Sequence, residues 1–386
     1  MPISVNRRPF SDGERERRQM RKIFLQQLQS GMVLAKTIYG PAGQVLLSAG
    51  KEVKPQYAVY LRHMGIESLY IQDKRIGNVV ADEILTEETR QEARLLVKEL
   101  MEGVGEISSN KSIAFADENL KEIVNKIIEE LLSIEDVVVS LLDIRAAAGY
   151  AFAHSVNTCV LATLTGAKLN YNTSQIKTLA TGSLLHDIGY IVVPPEILQK
   201  KSILDQDEFG VVKTHPLFGL ELFKHCSLYT EDSGAVIHQH HERRNGKGYP
   251  KGLVKDRINV MAQIAAIADV YDALTSPRPY RRAYHPNQAV EMLSAWGDDY
   301  FNLEILRTFL SFIAVYPVET HVLLSNGESG LVTANTPGYT TRPVVRVLYT
   351  REGMAHHPLP YDLDLTETLD LTVTKVLDDI FDVPCL

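Results

Sequence analysis

One segment limits the choice of fold more than any other, because it has helical spacing but almost no polar face. Residues 258–274 are apolar nearly all the way round. Such a helix must be covered on every side, so it predicts the centre of a helical domain. The surrounding chain agrees, since the pattern is helical almost throughout from residue 117 to about residue 314. The sequence therefore predicts a mainly α fold.

The two ends of the chain carry different patterns from its middle. Residues 24–75 alternate strand-like runs with one short helical run, and strand-like runs separated by turn residues return after residue 316. A charged amphipathic helix over residues 81–102 connects the first module to the middle. We predict a small α+β module over residues 1–75, a helical linker over 76–116, a helical domain over 117–312 and a β-rich tail over 313–386.

Composition excludes several classes of function. Hydrophobic residues form 45% and charged residues 23% of the 386 residues, as in ordinary globular proteins. A net charge of −8 argues against coating DNA, RNA or acidic lipid, which all require a basic face. No run approaches the ~18 apolar residues of a membrane helix, and the first residues lack the apolar core of a signal peptide. Three cysteines without a pattern fit a reducing compartment, so we expect a cytoplasmic protein.

Histidines are concentrated in the helical middle, where eight of the twelve lie between His154 and His285. Asp269 is the most informative neighbour, because a carboxylate inside a buried helix is costly unless a cation or hydrogen-bond donors compensate it. Five imidazoles and two carboxylates exceed the needs of one ion and suit two: His154, His186, Asp187, His215, His240, His241 and Asp269. Nitrogen and oxygen ligands without cysteine favour iron or manganese over structural zinc.

Each of these residues also has an ordinary structural interpretation. The end of a helix would explain His186 with Asp187, and an arginine partner or a solvent-facing groove would explain Asp269. The metal hypothesis therefore depends on the whole set. If it holds, Asp187 is the natural bridge, since it offers one oxygen to each ion.

Cationic and turn-forming residues lie close to this set in the sequence. Arg278 and Arg281 follow the helix of Asp269 and are suited to clamp phosphate oxygens. The loop over residues 245–250 contains Lys247 and two glycines that permit unusual backbone angles, although a solvated surface turn explains the same residues. No loop of the form Gly-x-x-x-x-Gly-Lys-Ser/Thr occurs, which leaves an ATP-driven mechanism without support.

In this order, these residues resemble the HD-GYP family, the helical metal-dependent phosphodiesterases that hydrolyse the bacterial messenger cyclic di-GMP. The resemblance covers roughly residues 117–312 and implies the helical bundle of the HD superfamily, with small flanking modules that contain β-strands. The matching stretches are His154-Ser155, Leu185-His186-Asp187-Ile188-Gly189, Lys213-Thr214-His215-Pro216, residues 240–243, residues 246–250 and residues 268–281.

The resemblance also implies roles for individual residues. The seven residues named above would bind a two- or three-metal centre, with His186 and Asp187 at its catalytic core. Gly248-Tyr249-Pro250 would be the signature loop, which in the family lies beside the site and is linked to contacts with diguanylate cyclase (GGDEF) domains. Arg278 and Arg281 would contact substrate phosphate. A homodimer stays open.

Four positions depart from the family pattern, and one of them is Asn245, which replaces an aspartate of the signature loop. Tyr190 stands where the family usually has a lysine after His-Asp-Ile-Gly, and a neutral tyrosine donates only one hydrogen bond to phosphate. Tyr150 stands where three-metal members carry a glutamate, so two ions are expected. Lys247 replaces a serine of the signature loop and adds positive charge there. We therefore expect Tyr249, Tyr190 and Lys247 to contribute to substrate binding.

The predicted function is a metal-dependent phosphodiesterase that hydrolyses cyclic di-GMP to pGpG, and to GMP after a second cut, by a hydroxide that bridges the metal ions. The alternative is a catalytically weakened HD-GYP protein that acts as a cyclic di-GMP receptor or a protein-interaction module, which Tyr190 favours. Two further classes stay open: an oxygenase with a di-iron site, and a phosphohydrolase acting on nucleoside mono- or triphosphates. No membrane, DNA or RNA partner is expected.

Overall fold

The computed structural model describes residues 20–25, 28–40, 44–64, 66, 68–72, 84–103, 117–134, 138–139, 150–198, 200, 202–276, 283–350 and 356–377. The described residues form two compact units. One unit takes its residues from within 1–82 and 316–386, and the other from within 83–145 and 149–315.

The first elements form a module of two small sheets and one helix. They are β1 (Met20–Phe24), β2 (Ile38–Tyr39), β3 (Val45–Leu47), α1 (Tyr57–His63) and β4 (Ser68–Gln72). β1 pairs antiparallel with β4, and β2 pairs antiparallel with β3. Ile23, Leu34, Leu61 and Ile71 belong to the buried cluster that holds the module together. The sequence predicts a short helix over residues 59–64 and a strand over residues 68–71, where α1 and β4 lie, whereas β1 is not among the predicted strands.

The helical unit owes several helix starts to capping side chains. Asn172, Asp205 and Thr230 each accept a hydrogen bond from the backbone N–H three residues later, which satisfies a group that the helix leaves unpaired. The helices of the unit are α2 (Glu87–Gly103), α3 (Asp117–Leu132), α4 (Tyr150–Lys168), α5 (Thr173–Leu184), α6 (Pro195–Leu198), α7 (Gln206–Val212), α8 (His215–Phe223), α9 (Glu231–Gln239), α10 (Val260–Thr275), α11 (Pro286–Tyr300) and α12 (Leu303–Leu310).

The predicted central helix is confirmed as α10. Of its 16 residues, 13 are buried, and it packs against α4 and α9. The charged helix that the sequence assigns to a linker is α2, which contributes Ala93, Leu96 and Val97 to the same apolar core as α3 and α4. Burial of these side chains against neighbouring helices, rather than helix propensity alone, stabilises the unit.

One predicted helix is shorter than its apolar pattern suggests. The pattern predicts a helix over residues 176–188, but α5 ends at Leu184, and a turn with a 3-10 helix (Ile188–Val192) follows. Gly189 permits the close approach of this turn to α8, because an added Cβ would overlap the carbonyl oxygen of His215. His186 and Asp187 therefore lie in a turn rather than on the helix itself.

The C-terminal elements form one antiparallel sheet. They are β5 (His321–Leu324), β6 (Ser329–Ala334), β7 (Val344–Tyr349), β8 (His356–Asp364) and β9 (Val373–Leu377), in the spatial order β8-β7-β6-β5-β9. Its buried cluster includes Val322, Val332, Val345 and Val347. The sequence predicts a hairpin of residues 322–325 with 330–333 and strands over residues 344–349 and 371–377. The strands β5, β6, β7 and β9 lie there, but β8 is not predicted.

The predicted fold class, mainly α with small flanking modules that contain β-strands, is confirmed by this arrangement. Among the described residues, no helix combines the length and the apolar character that crossing a bilayer requires.

Candidate metal centre

The seven predicted ligands come from five places in the helical unit and meet in its interior. α4 and α10 each supply one residue, α8 supplies its first residue, and the turns after α5 and α9 each supply two adjacent residues. In that order they are His154, Asp269, His215, His186 with Asp187, and His240 with His241. Five of them are almost fully buried, namely His154, His186, His215, His240 and Asp269. Asp187 and His241 each keep a small exposed area.

The ligand atoms form two groups, each within 4.8 Å. The groups are Asp187 with His215, His240 and His241, and His154 with His186 and Asp269. Asp187 reaches both of them. Its Oδ1 lies 3.4 Å from His215 Nε2, and its Oδ2 lies 3.4 Å from His186 Nε2. One oxygen toward each group is the arrangement that a bridging carboxylate requires.

Backbone hydrogen bonds set the orientation of three imidazoles. The Nδ1 atoms of His186, His215 and His240 each lie 2.8 Å from the carbonyl oxygen three residues earlier. A carbonyl only accepts hydrogen bonds, so the network assigns the proton to Nδ1 in each ring. The Nε2 atoms are then unprotonated and carry their lone pairs into the cluster, as neutral histidine ligands of a metal do.

Asp272, which the sequence did not single out, fixes the fourth ring. Its Oδ2 lies 2.6 Å from His154 Nδ1, and its Oδ1 accepts a hydrogen bond of 2.7 Å from the Asn157 side chain. A carboxylate that holds Nδ1 of a ligand histidine raises the basicity of the opposite nitrogen. The signal was present in the sequence, because Asp272 lies three residues after Asp269 on the same apolar helix.

The cluster fits a bound cation better than it fits an internally hydrogen-bonded core. His215 Nε2 and His240 Nε2 lie 3.3 Å apart, and with both protons on Nδ1 two lone pairs face each other. His186 Nε2 is buried and makes no hydrogen bond to the residues that the structure describes. Buried acceptors without donors cost free energy, and a metal ion among them removes that cost.

The electrostatics of the cluster point the same way. Burial lowers the pKa of His215 to about 4, and burial together with His240 lowers the pKa of His241 well below its usual range. Burial raises the pKa of Asp187, but the neighbouring His186 and His215 outweigh it, so the net pKa lies well below the usual range. Burial lowers the pKa of His186, but the neighbouring Asp187 outweighs it, so the net pKa of His186 is raised. Ionised carboxylates beside the neutral rings of His215 and His241 attract positive charge, which divalent cations would supply.

The predicted signature loop lies against the cluster. Its Tyr249 ring centroid lies 4.6 Å from that of His241, and the Tyr249 N–H donates to the His241 carbonyl oxygen. Glu242, which is 2% exposed, holds the far end of the loop by accepting hydrogen bonds from the backbone N–H groups of Lys251 and Leu253. A buried carboxylate with two donors is satisfied, so Glu242 supports the loop.

The structure describes only some of the other predicted substrate-binding residues. Tyr190 stacks on the His215 ring with centroids 4.1 Å apart, so it borders the cluster directly. Lys247 is exposed, and its backbone N–H donates to the Asn245 side chain. Arg278 and Arg281 lie outside the described residues, as does the side chain of Tyr150.

Comparisons with known proteins agree with this geometry. Residues 136–305 match the family model described as HD domain, and residues 321–380 match one described as KOW domain associated with HD domain. A cyclic di-GMP phosphodiesterase of Pseudomonas aeruginosa is 31% identical over 239 residues, which is 62% of this chain and 57% of that protein. The response regulator RpfG of Xanthomonas campestris, also named a cyclic di-GMP phosphodiesterase, is 39% identical over 136 residues, or 35% and 36% of the two chains.

A third relative carries a different substrate in its name. The 3′3′-cGAMP-specific phosphodiesterase 1 of Vibrio cholerae is 32% identical over 169 residues, covering 43% of this chain and 38% of that protein. The chain thus spans between 36% and 57% of the length of these three relatives.

Together, the helical unit and its buried His/Asp cluster define an HD domain that is able to bind metal ions. Residues 136–305 match the HD domain family model, and the predicted resemblance to the HD-GYP proteins is confirmed.

Proposed function

We propose that this chain is a metal-dependent phosphodiesterase that hydrolyses cyclic di-GMP to pGpG, and to GMP after a second cut. The observation that carries the proposal is the buried cluster in which Asp187 reaches two groups of histidine lone pairs. Relatives named cyclic di-GMP phosphodiesterases support the substrate. Each cut adds water across a bond between phosphorus and a 3′-oxygen, which leaves with a proton.

Two divalent ions, iron or manganese, are proposed for the two ligand groups. Asp187, His215, His240 and His241 would hold one ion, and His154, His186 and Asp269 would hold the other, with Asp187 shared. Such ions supply a water of lowered pKa and positive charge for the phosphate oxygens. Nitrogen and oxygen donors suit these metals.

The other predicted residues would act on the substrate itself. Tyr190 and Tyr249 border the ligand histidines and carry hydroxyl groups able to donate to phosphate oxygens. Arg278 and Arg281 stay the predicted clamps of the phosphate, and Lys247 a predicted source of charge near the loop. Preorganised donors of this kind stabilise charge that builds on the phosphate in the transition state.

The test is anaerobic turnover with Fe(II) or Mn(II), using cyclic di-GMP and 3′3′-cGAMP as substrates and metal content as a second readout. The double variant His186→Ala/Asp187→Ala should lose metal and nucleotide release together. His225→Ala, which removes an exposed imidazole of the same unit, is the matched control and should retain both. Full hydrolysis by the metal-free double variant would refute the proposal, and faster release from 3′3′-cGAMP would change the assigned substrate.

A receptor is the second candidate, and Tyr190 is the observation that favours it. The stacked tyrosine occupies the position at which the family usually carries a cationic lysine. A receptor would bind cyclic di-GMP without releasing pGpG from the metal-loaded protein, so equilibrium binding and product analysis on one sample separate the candidates.

Three further expectations stay proposals. The loop of Gly248, Tyr249 and Pro250 would contact GGDEF domains, as the family resemblance implies. A homodimer would appear as a doubled mass in sedimentation. The cytoplasm stays the proposed compartment because the few cysteines form no disulfide pattern.

A further inference from the structure

Lys213 extends its ammonium group toward the aromatic rings beside the metal centre. It follows α7 directly and precedes the ligand His215 by two residues. Its Nζ lies 4.6 Å from the centroid of the Phe209 ring and 5.7 Å from that of the Tyr249 ring. The side chain is exposed, and no carboxylate among the described residues forms an ion pair with it.

One of the two rings near the Lys213 ammonium group, that of Tyr249, also lies close to the ligand histidines. Tyr249 lies 4.6 Å from His241 and 6.4 Å from His215, measured between ring centroids. Tyr190 stacks on the same His215 at 4.1 Å. Lys213 and Tyr190 therefore both border the environment of one ligand histidine.

Charge explains why a cation is needed there. A cyclic dinucleotide brings two anionic phosphodiesters, and the neutral Tyr190 leaves its position beside His215 without a cation to bind them. A lysine resting on aromatic faces is weakly held, carries a flexible four-carbon chain, and is free to turn its ammonium toward a phosphate. We propose that Lys213 is a phosphate-binding cation of this site, additional to the predicted clamps Arg278 and Arg281, and compensates for the tyrosine at position 190. The inference rests on the proposed function.

An ordinary role for Lys213 is to stabilise the end of a helix, because a cation interacts favourably with the last turn. Lys168 provides the matched control for that role. It is exposed and is the last residue of α4, the helix that carries His154. The 14 residues from His154 to Lys168 place it about 21 Å along the helix axis from the cluster.

The experiment measures binding of pGpG to the metal-loaded full chain by calorimetry, together with KM and kcat for cyclic di-GMP. Lys213→Met should weaken pGpG binding and raise KM by about 10- to 100-fold, the range expected for a charged hydrogen bond. Lys213→Arg should stay within a few-fold of wild type, and Lys168→Met should not change. The loss should shrink as salt rises, because salt screens the exposed charge.

Moving the positive charge from position 213 to position 190 tests the compensation itself. Tyr190→Lys in the Lys213→Met background should restore most of the lost affinity, with melting temperature and metal content verifying that this double variant is folded and loaded. If the double variant is folded and metal-loaded but does not recover affinity, then Lys213 does not compensate for Tyr190. Lys213→Met with wild-type affinity, or with the same change as Lys168→Met, overturns phosphate binding by Lys213. If wild type releases no nucleotide while Lys213→Met still weakens pGpG binding, the proposed function fails and this inference stands.

Discussion

The helical unit and the C-terminal sheet both bury apolar side chains, but they differ in what lies at their centres. The buried cluster of the sheet consists of aliphatic residues such as Val322, Val345 and Val347. The buried cluster of the helical unit contains five imidazoles and two carboxylates. Aliphatic burial stabilises a fold directly, whereas buried charges and facing lone pairs cost stability unless a partner compensates them. The helical unit therefore carries a cost that bound metal ions would offset.

The largest effect should come from removing the shared charge of the cluster. Asp187→Asn should lower phosphodiesterase turnover about 1000-fold, since metal assistance contributes several kcal/mol to the barrier. Metal content, measured by mass spectrometry after anaerobic purification, should fall with it. The metal-free variant should unfold at a lower denaturant concentration than metal-free wild type, but by less than a core truncation would cause, because the fold holds the pKa of Asp187 below its usual range and so stabilises its ionised form.

Asp207→Asn, an exposed carboxylate at the start of α7, is the control for this change. If Asp187→Asn destabilises the metal-free protein by as much as a core truncation, then the cluster is an ordinary stabilising network and the contrast with the sheet disappears.

Gly189→Ala should damage stability and metal binding together. An added Cβ would overlap the carbonyl oxygen of His215, so the turn of Asp187 must move away from α8. We expect a loss of about 3 kcal/mol in the free energy of unfolding, typical of severe overpacking, with reduced metal content. Gly210→Ala is the matched control, because its Cβ would meet open space on α7. Equal metal content in both variants would contradict this prediction.

Gly330→Ala applies the same steric change to the sheet. Its added Cβ would overlap the carbonyl oxygen of Arg346 on the neighbouring strand β7. A loss of about 2 kcal/mol in stability is expected, also from overpacking. Metal content per folded protein should equal that of wild type, since the sheet supplies none of the ligands. A matching loss of metal would show that the two regions are not independent in this respect.

The smallest effect should come from the residue that only orients a ligand. Asp272→Asn keeps the shape of the side chain but removes the charge that holds His154 Nδ1. Loss of such a partner typically weakens metal affinity about 10- to 100-fold. Competition with a chelator of known affinity measures this change. Affinity equal to wild type would indicate that the backbone-oriented histidines alone determine metal binding.

The ligand set could be predicted from the sequence because its members stand in short motifs that need no knowledge of distant contacts. His186 with Asp187, and His240 with His241, are adjacent in the chain. Asp272 was missed because its role depends on a hydrogen bond to a helix 118 residues away in sequence. Lys213 lies in a recognised motif, but only the folded position of Tyr249 reveals what its ammonium approaches.

The fold could be predicted where one face of an element is apolar, and less well elsewhere. β8 contains Pro358 and Pro360, which argue against a strand, yet β8 lies at an edge of the sheet, where a proline is tolerated. In β1, Arg21 and Lys22 interrupt the apolar alternation, so only its pairing with β4 identifies it as a strand. The end of α5 was misplaced because the apolar run continues through the turn.

The repeated hydrogen bond from Nδ1 to the carbonyl oxygen three residues earlier has a consequence for how this centre assembles. Because His186, His215 and His240 are each oriented by their own local turn, ring orientation is acquired as each turn forms and needs no neighbour from another helix. Packing of the helices then has only to set the spacing between rings that already point inward. An incoming ion would meet donors that need little rearrangement, so most of the entropic cost of ordering these side chains is met during folding.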